Sequence, residues 1–209
     1  VIATVWATAF LTPALPADDK SPVTSYAEID ERFEGEYLVA LGAVWRYLVG
    51  VAEPEGEKGD WTKIEFWDSD WKEGPSPLGY GAEGLATTIE GMEGEATTVY
   101  LRHILDMGDP AMYEYIELRC PIDDGYVFYV NGATQDRIHS GGGIFVAHDS
   151  QATTERKIER LPVPTSEMTF DLKPGPNPLA FIGLVHKDDQ QSFEIRPQIY
   201  GRFRKNPDE

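Results

Sequence analysis

The stretch Asp-Asp-Gly-Tyr-Val-Phe-Tyr-Val-Asn-Gly at 123–132 constrains the fold more than any other part of the chain. Asp123-Asp124-Gly125 is turn-forming, because aspartate side chains hydrogen-bond to nearby backbone and glycine tolerates positive φ. Asn131-Gly132 accepts the left-handed backbone that a tight two-residue hairpin needs. Between the two turns, Tyr126, Val127, Phe128, Tyr129 and Val130 are strand formers with no helical period and no polar face. A segment apolar on both faces predicts an interior strand of a packed sheet.

The same punctuation recurs along the chain. Residues 37–51 read as two short strands split near Gly42. Residues 97–105 alternate, with Val99, Leu101 and His103 on one face and Tyr100, Arg102 and Ile104 on the other. Further strands are read at 115–121, 168–172, 178–186 and 193–204. A charged Gly/Pro loop spans 53–60, and the Gly/Pro-dense segment 74–84 is read as irregular. Asp109-Pro110 starts a turn or a single helical turn. Many short strands without a long amphipathic helix predict an all-β protein, an antiparallel two-sheet jelly-roll-like sandwich. Its expected limits are 37–204, with an N-terminal extended arm (an apolar segment and a polar linker) at 1–36 and a polar tail at 205–209. At 209 residues such a domain buries a sizeable core without staples.

Charge narrows the partners. Eighteen basic residues against 36 acidic ones give −18, which excludes a nucleic-acid partner and disfavours anionic headgroups, since both carry negative phosphates. The single cysteine, Cys120, excludes an internal disulfide and a cysteine-based metal site. The arm opens with an apolar run that includes Val1, Ile2, Val5, Trp6, Phe10 and Leu11, about half the length of a membrane-spanning helix. Ala-Leu-Pro-Ala at 14–17 then resembles the end of a secretory signal, with cleavage after Ala17, although no basic segment precedes it. The expectation is an exported protein, periplasmic or extracellular. Its arm packs on its own domain, on a protein partner in a larger complex, or on a membrane surface.

A set of short motifs occurs in order. Trp45-Arg46-Tyr47 comes first, followed by Trp61 and Phe66-Trp67-Asp68-Ser69-Asp70-Trp71. Gly74-Pro75-Ser76-Pro77-Leu78-Gly79-Tyr80-Gly81 and Tyr100-Leu101-Arg102-His103 come next. The 123–132 hairpin, Phe170-Asp171-Leu172 and Gly175-Pro176-Asn177-Pro178-Leu179-Ala180 complete the series. Together they resemble a galactose-binding-domain-like (jelly-roll) β-sandwich module of the kind found in large secreted proteins of environmental bacteria. The resemblance covers about 37–203. It departs at Pro178, where a β-branched residue is usual, and at Cys120-Pro121, which interrupts the strand before the hairpin. It implies a mostly non-catalytic module that binds glycans, holds a structural calcium, or braces neighbouring domains.

The residues agree with a non-enzyme. His103, His139, His148 and His186 show no metal-ligand spacing, and no Gly-x-Ser-x-Gly, phosphate-loop or His-Glu-x-x-His motif is present. No cofactor is required. A structural calcium would use the loop carboxylates Asp68, Asp70, Asp123 and Asp124, although turn chemistry accounts equally for the last two. A glycan would use Trp61, Trp67 and Trp71, with Tyr80 and Glu83 on the following loop. The alternative for the tryptophans is packing within the sandwich. Two functions follow. The first is an extrinsic structural or accessory subunit that braces a larger assembly, membrane-bound or not, through its arm. The alternative is a carbohydrate-binding module.

Overall fold

A computed structural model describes residues 34–143, 145–155, 167–168, 172–188 and 190–204. The arm residues Val1, Ile2, Val5, Trp6, Phe10 and Leu11, and the tail, lie outside the described residues. Thirteen strands run in chain order: β1 (Gly35–Val39), β2 (Val44–Val49), β3 (Lys72–Pro75), β4 (Leu78–Tyr80), β5 (Thr87–Thr88), β6 (Thr98–Met107), β7 (Tyr113–Arg119), β8 (Gly125–Val130), β9 (Ala133–Ile138), β10 (Glu167–Met168), β11 (Gly175–Leu184), β12 (Phe193–Ile195) and β13 (Gln198–Phe203). Two single 3-10 turns, Asp60–Thr62 and Pro110–Met112, accompany them. The second starts at Asp109, whose carboxylate accepts the Ala111 N–H at 2.9 Å.

The strands form a two-layer sandwich. One layer is a six-stranded antiparallel sheet in the order β3-β2-β6-β11-β8-β9. The other combines β1-β13-β7-β10 with the short ladder β12-β4-β5, joined where Ile122 bridges Ile195. The β4–β5 pair is parallel, the one departure from antiparallel pairing among the described strands. The hairpin forms where 123–132 predicts it. Asn131 (φ 50°) and Gly132 (φ 84°) make the turn, Val130 pairs with Ala133, and all six residues of β8 are buried.

Strand alternation decides what the layers bury. Trp45, Leu101, Tyr126, Phe128, Leu179 and Phe181 point inward from the six-stranded sheet. Val39, Ile116, Leu118 and Ile199 meet them from the facing layer, with Leu78, Phe193 and Ile195 from the short ladder. The Phe128 and Phe181 rings stack at 4.4 Å, and Trp45 meets Phe181 edge-on at 5.5 Å. Each such side chain contributes about 1.5–3 kcal/mol by leaving water.

One segment corrects the sequence reading. Residues 74–84, expected to be irregular, contain the end of β3 and all of β4. Glycine here permits close strand approach rather than breaking the strand. A Cβ on Gly79 would sit 1.9 Å from the carbonyl oxygen of Phe193. Tyr80, proposed above for a ligand loop, is consequently only 3% exposed in the core, and its hydroxyl donates to the Gln190 carbonyl at 3.3 Å.

Candidate functional site

The outer face of the six-stranded sheet is also apolar. Tyr100 on β6, Val127 and Tyr129 on β8, and Ala180, Ile182 and Leu184 on β11 point away from the facing layer. They are covered by irregular chain, the segment 50–71 and the segment 145–152. Trp61 is the centre of this cover. It is 5% exposed and meets Tyr100 at 4.9 Å and Tyr129 at 5.4 Å, both edge-to-face. Phe145 also stacks on Tyr129, at 6.2 Å.

Arg102, on β6, fixes the cover to the sheet. Its side chain is 2% exposed, so its charge has to be fully partnered. Nε donates to Asp68 Oδ2 at 2.8 Å, and Nη1 donates to the Trp61 carbonyl and to the Lys63 carbonyl. The guanidinium also lies 5.2 Å from the Phe66 ring centre. Arg46, on β2, adds an ion pair to Asp68 Oδ1 at 3.6 Å and a hydrogen bond to the Asp68 carbonyl at 3.0 Å. One buried cation thus sets the positions of 61, 63, 66 and 68.

The cover does not close over the whole face. Between 48–56 and 60–71 it leaves a groove of about 760 Å³. Phe66 and Trp71 form its aromatic wall, edge-to-face at 5.7 Å, and Trp71 reaches Tyr100 beneath at 6.4 Å. Trp67 stands beside them 78% exposed, and Val51 is 65% exposed. Glu53, Glu55, Glu65 and Asp70 supply polar groups around the lining, with Asp60 and Lys63. The Lys63 ammonium donates to Asp60 Oδ1 at 2.8 Å. That bond holds the Asp60 carboxyl below its ordinary range and the Lys63 ammonium above its own.

Glu53, also in the lining, is held by hydrogen bonds. Burial pushes its carboxyl up. The backbone N–H of His148 at 3.0 Å, the His148 ring and the Tyr100 hydroxyl at 3.2 Å together outweigh that and hold it below the ordinary value. Burial and the neighbouring Glu53 carboxylate push the Tyr100 hydroxyl far up, so it remains a donor. Tyr129, under the Trp61 cover, is pushed up to about 12 by burial. His103, on the inner face against Trp45 at 5.1 Å, is lowered by burial.

The expected site residues therefore separate. Trp67, Asp70 and Trp71 line the groove, whereas Trp61 packs on Tyr100 and Tyr129 and is not part of the lining. Tyr80 sits in the core and Glu83 is exposed on the loop after β4, neither lining the groove. The four acids named for calcium do not converge, and no group of three or more metal-ligating side chains occurs among the described residues. Asp68 is occupied by two guanidinium groups. Asp124 (φ 74°) accepts the His186 N–H at 2.6 Å and Asp123 accepts the Ser192 hydroxyl at 3.0 Å, which is turn and loop bonding. Glu53, Glu55, Glu65 and Phe66 are groove residues that the sequence reading did not single out. The available signal was the alternation of acids and aromatics through 53–71.

No protein-family model and no curated protein matches the chain. Among solved structures it is similar to a beta-glucuronidase of Bacteroides uniformis, with TM-score 0.45 and 16% identity over 80% of this chain and 18% of that one. It is also similar to the beta-glucuronidase of Ruminococcus gnavus in complex with D-glucuronic acid, with TM-score 0.46 and 11% identity over 80% of this chain and 29% of that one. This chain spans less than a third of the length of those enzymes.

Proposed function

We propose that this chain is a non-catalytic β-sandwich module that binds carbohydrate in the outer-face groove. The observation that carries the reading is Trp67. A large aromatic left 78% exposed beside a groove with an aromatic wall has no packing role among the described residues. Its apolar face suits the C–H face of a sugar ring, and the surrounding carboxylates suit ring hydroxyls as hydrogen-bond acceptors. Glu53 and the Arg102-fixed cover hold the groove's two sides, so it is preformed rather than assembled on binding. The resemblance to galactose-binding-like modules supports the same reading. Export, expected from the start of the sequence, would bring the module to external polysaccharide. The bracing role rests on residues outside the described structure, and no described feature favours it over binding.

Electrophoresis through gels with embedded soluble polysaccharides tests this. At least one neutral or amine-bearing polysaccharide retards the unmodified protein, and Trp67→Ala and Trp71→Ala abolish the retardation. Equal mobility of all three proteins in every gel contradicts the reading.

A further inference from the structure

The charge around the groove is mostly of one sign. Of the ionisable side chains lining it, Glu53, Glu55, Asp60, Glu65 and Asp70 are acidic and Lys63 alone is basic. Lys63 is spent on Asp60, at 2.8 Å. Glu55, Glu65 and Asp70 have no ion-pair partner among the described residues, and Asp70 accepts only a weak hydrogen bond from Ser69, at 3.3 Å. Glu53, held below its ordinary range by the His148 and Tyr100 hydrogen bonds, adds a further carboxylate. The whole chain carries −18, so the distant field has the same sign. An anionic sugar entering here meets like charge on both sides of the groove. A protonated amine meets carboxylates and the faces of Trp67, Trp71 and Phe66, which attract cations through the ring quadrupole.

We propose that the groove selects sugars bearing a free, protonated amine, such as oligomers of glucosamine, over N-acetylated, neutral and uronic-acid sugars. The proposal rests on the carbohydrate-binding reading and adds the ligand's charge to it. Trp67 and Trp71 supply the platform for the ring, and Glu55, Glu65 and Asp70 supply the preference for the amine. The stacking contribution is common to every sugar. The charge contribution is not, and it weakens as salt screens exposed carboxylates.

Calorimetric titration with four tetramers separates these contributions: glucosamine, N-acetylglucosamine, glucose and a uronic-acid oligomer, in slightly acid buffer at low salt. Exposed ion pairs are individually weak, so three carboxylates acting together give roughly tenfold tighter binding of the glucosamine tetramer than of its N-acetylated form. The uronic-acid oligomer binds weakest. Molar salt removes most of the preference. The triple variant Glu55→Gln, Glu65→Gln, Asp70→Asn weakens binding of the glucosamine tetramer far more than binding of the uncharged tetramers, and so loses the preference for the amine. Trp67→Ala keeps every carboxylate and loses binding of all tetramers.

Equal affinity for the amine and N-acetyl forms overturns the charge preference and leaves carbohydrate binding standing. Tightest binding of the uronic-acid oligomer overturns the preference as well. Amine binding that survives Trp67→Ala reveals simple attraction of a cation to an acidic protein and overturns the proposal. Binding of no tetramer by the folded, unmodified protein overturns the carbohydrate reading itself, and this inference with it.

Discussion

The two faces of the six-stranded sheet are built from the same strands and yet are finished differently. The inner face is closed by a second sheet. Trp45, Phe128 and Phe181 are each fully buried there, and regular pairing fixes each neighbour. The outer face carries a comparable apolar stripe, including Tyr100, Tyr129 and Ile182, but is covered by loops tied down by Arg102 and Asp68. A sheet covers evenly, whereas a loop covers where its side chains reach. Trp61 reaches the sheet, Trp71 reaches partway, and Trp67 does not reach it. That gradient turns three tryptophans within eleven residues into one core residue, one groove wall and one exposed platform.

Truncating the inner face should have the largest effect. Trp45→Ala removes a buried ring between the layers, and urea denaturation should show a loss of about 3–5 kcal/mol. Trp45→Phe should cost less, because the indole N–H of Trp45 has no hydrogen-bond partner among the described residues. A Trp45→Ala loss no larger than that of an outer-face truncation would erase the distinction between the faces.

Arg102→Met comes next and sharpens the comparison. The apolar stem survives, but the Trp61 and Lys63 carbonyls and the Asp68 carboxylate lose their shared donor. Asp68 is partly exposed and keeps Arg46, so the expected loss is smaller than for a fully buried pair, about 1–3 kcal/mol. It should come with faster hydrogen exchange in 50–71 and unchanged exchange in β8 and β11. Uniform acceleration throughout the sandwich would mean that the loop cover and the core are one cooperative unit.

Acid should loosen the outer face slightly. The folded state holds the Glu53 carboxyl below its ordinary value of 4.5. Its contribution is therefore present above that value and is lost as pH falls through the folded value. Thermal melts of the unmodified protein and Glu53→Gln should differ near neutral pH and converge as pH drops below 4.5. A gap that stays constant across that range removes the carboxylate from the account. Excess chelator is expected to have the smallest effect, leaving the melting temperature where it was. A clear drop would restore a calcium role for the loop acids.

Much of the inner face was legible in the sequence because alternation and turn chemistry are local. Residues 123–132 and the two faces of 97–105 behave as their pattern predicts. Gly79 was misread because its role depends on Phe193, more than a hundred residues away. The groove was less legible for a related reason. Nothing in the spacing of Trp61, Trp67 and Trp71 tells which one is buried. That follows from Arg102 gripping 61, 63 and 68, a contact made across the fold. Glu53 likewise reads as part of a charged loop in the sequence, and only the fold sets His148 and Tyr100 beside it.

The central claim is that Trp67 serves binding and not the fold. Thermal unfolding of the unmodified protein and Trp67→Ala, with and without the oligosaccharide that binds most tightly, tests it directly. Without sugar the two should melt within about 2 °C of each other, as expected for an exposed position. At about 100 times Kd, sugar should raise the unmodified protein by roughly 5–10 °C and leave Trp67→Ala unchanged. A variant that melts well below the unmodified protein without sugar, or that gains the same shift with it, would contradict the account.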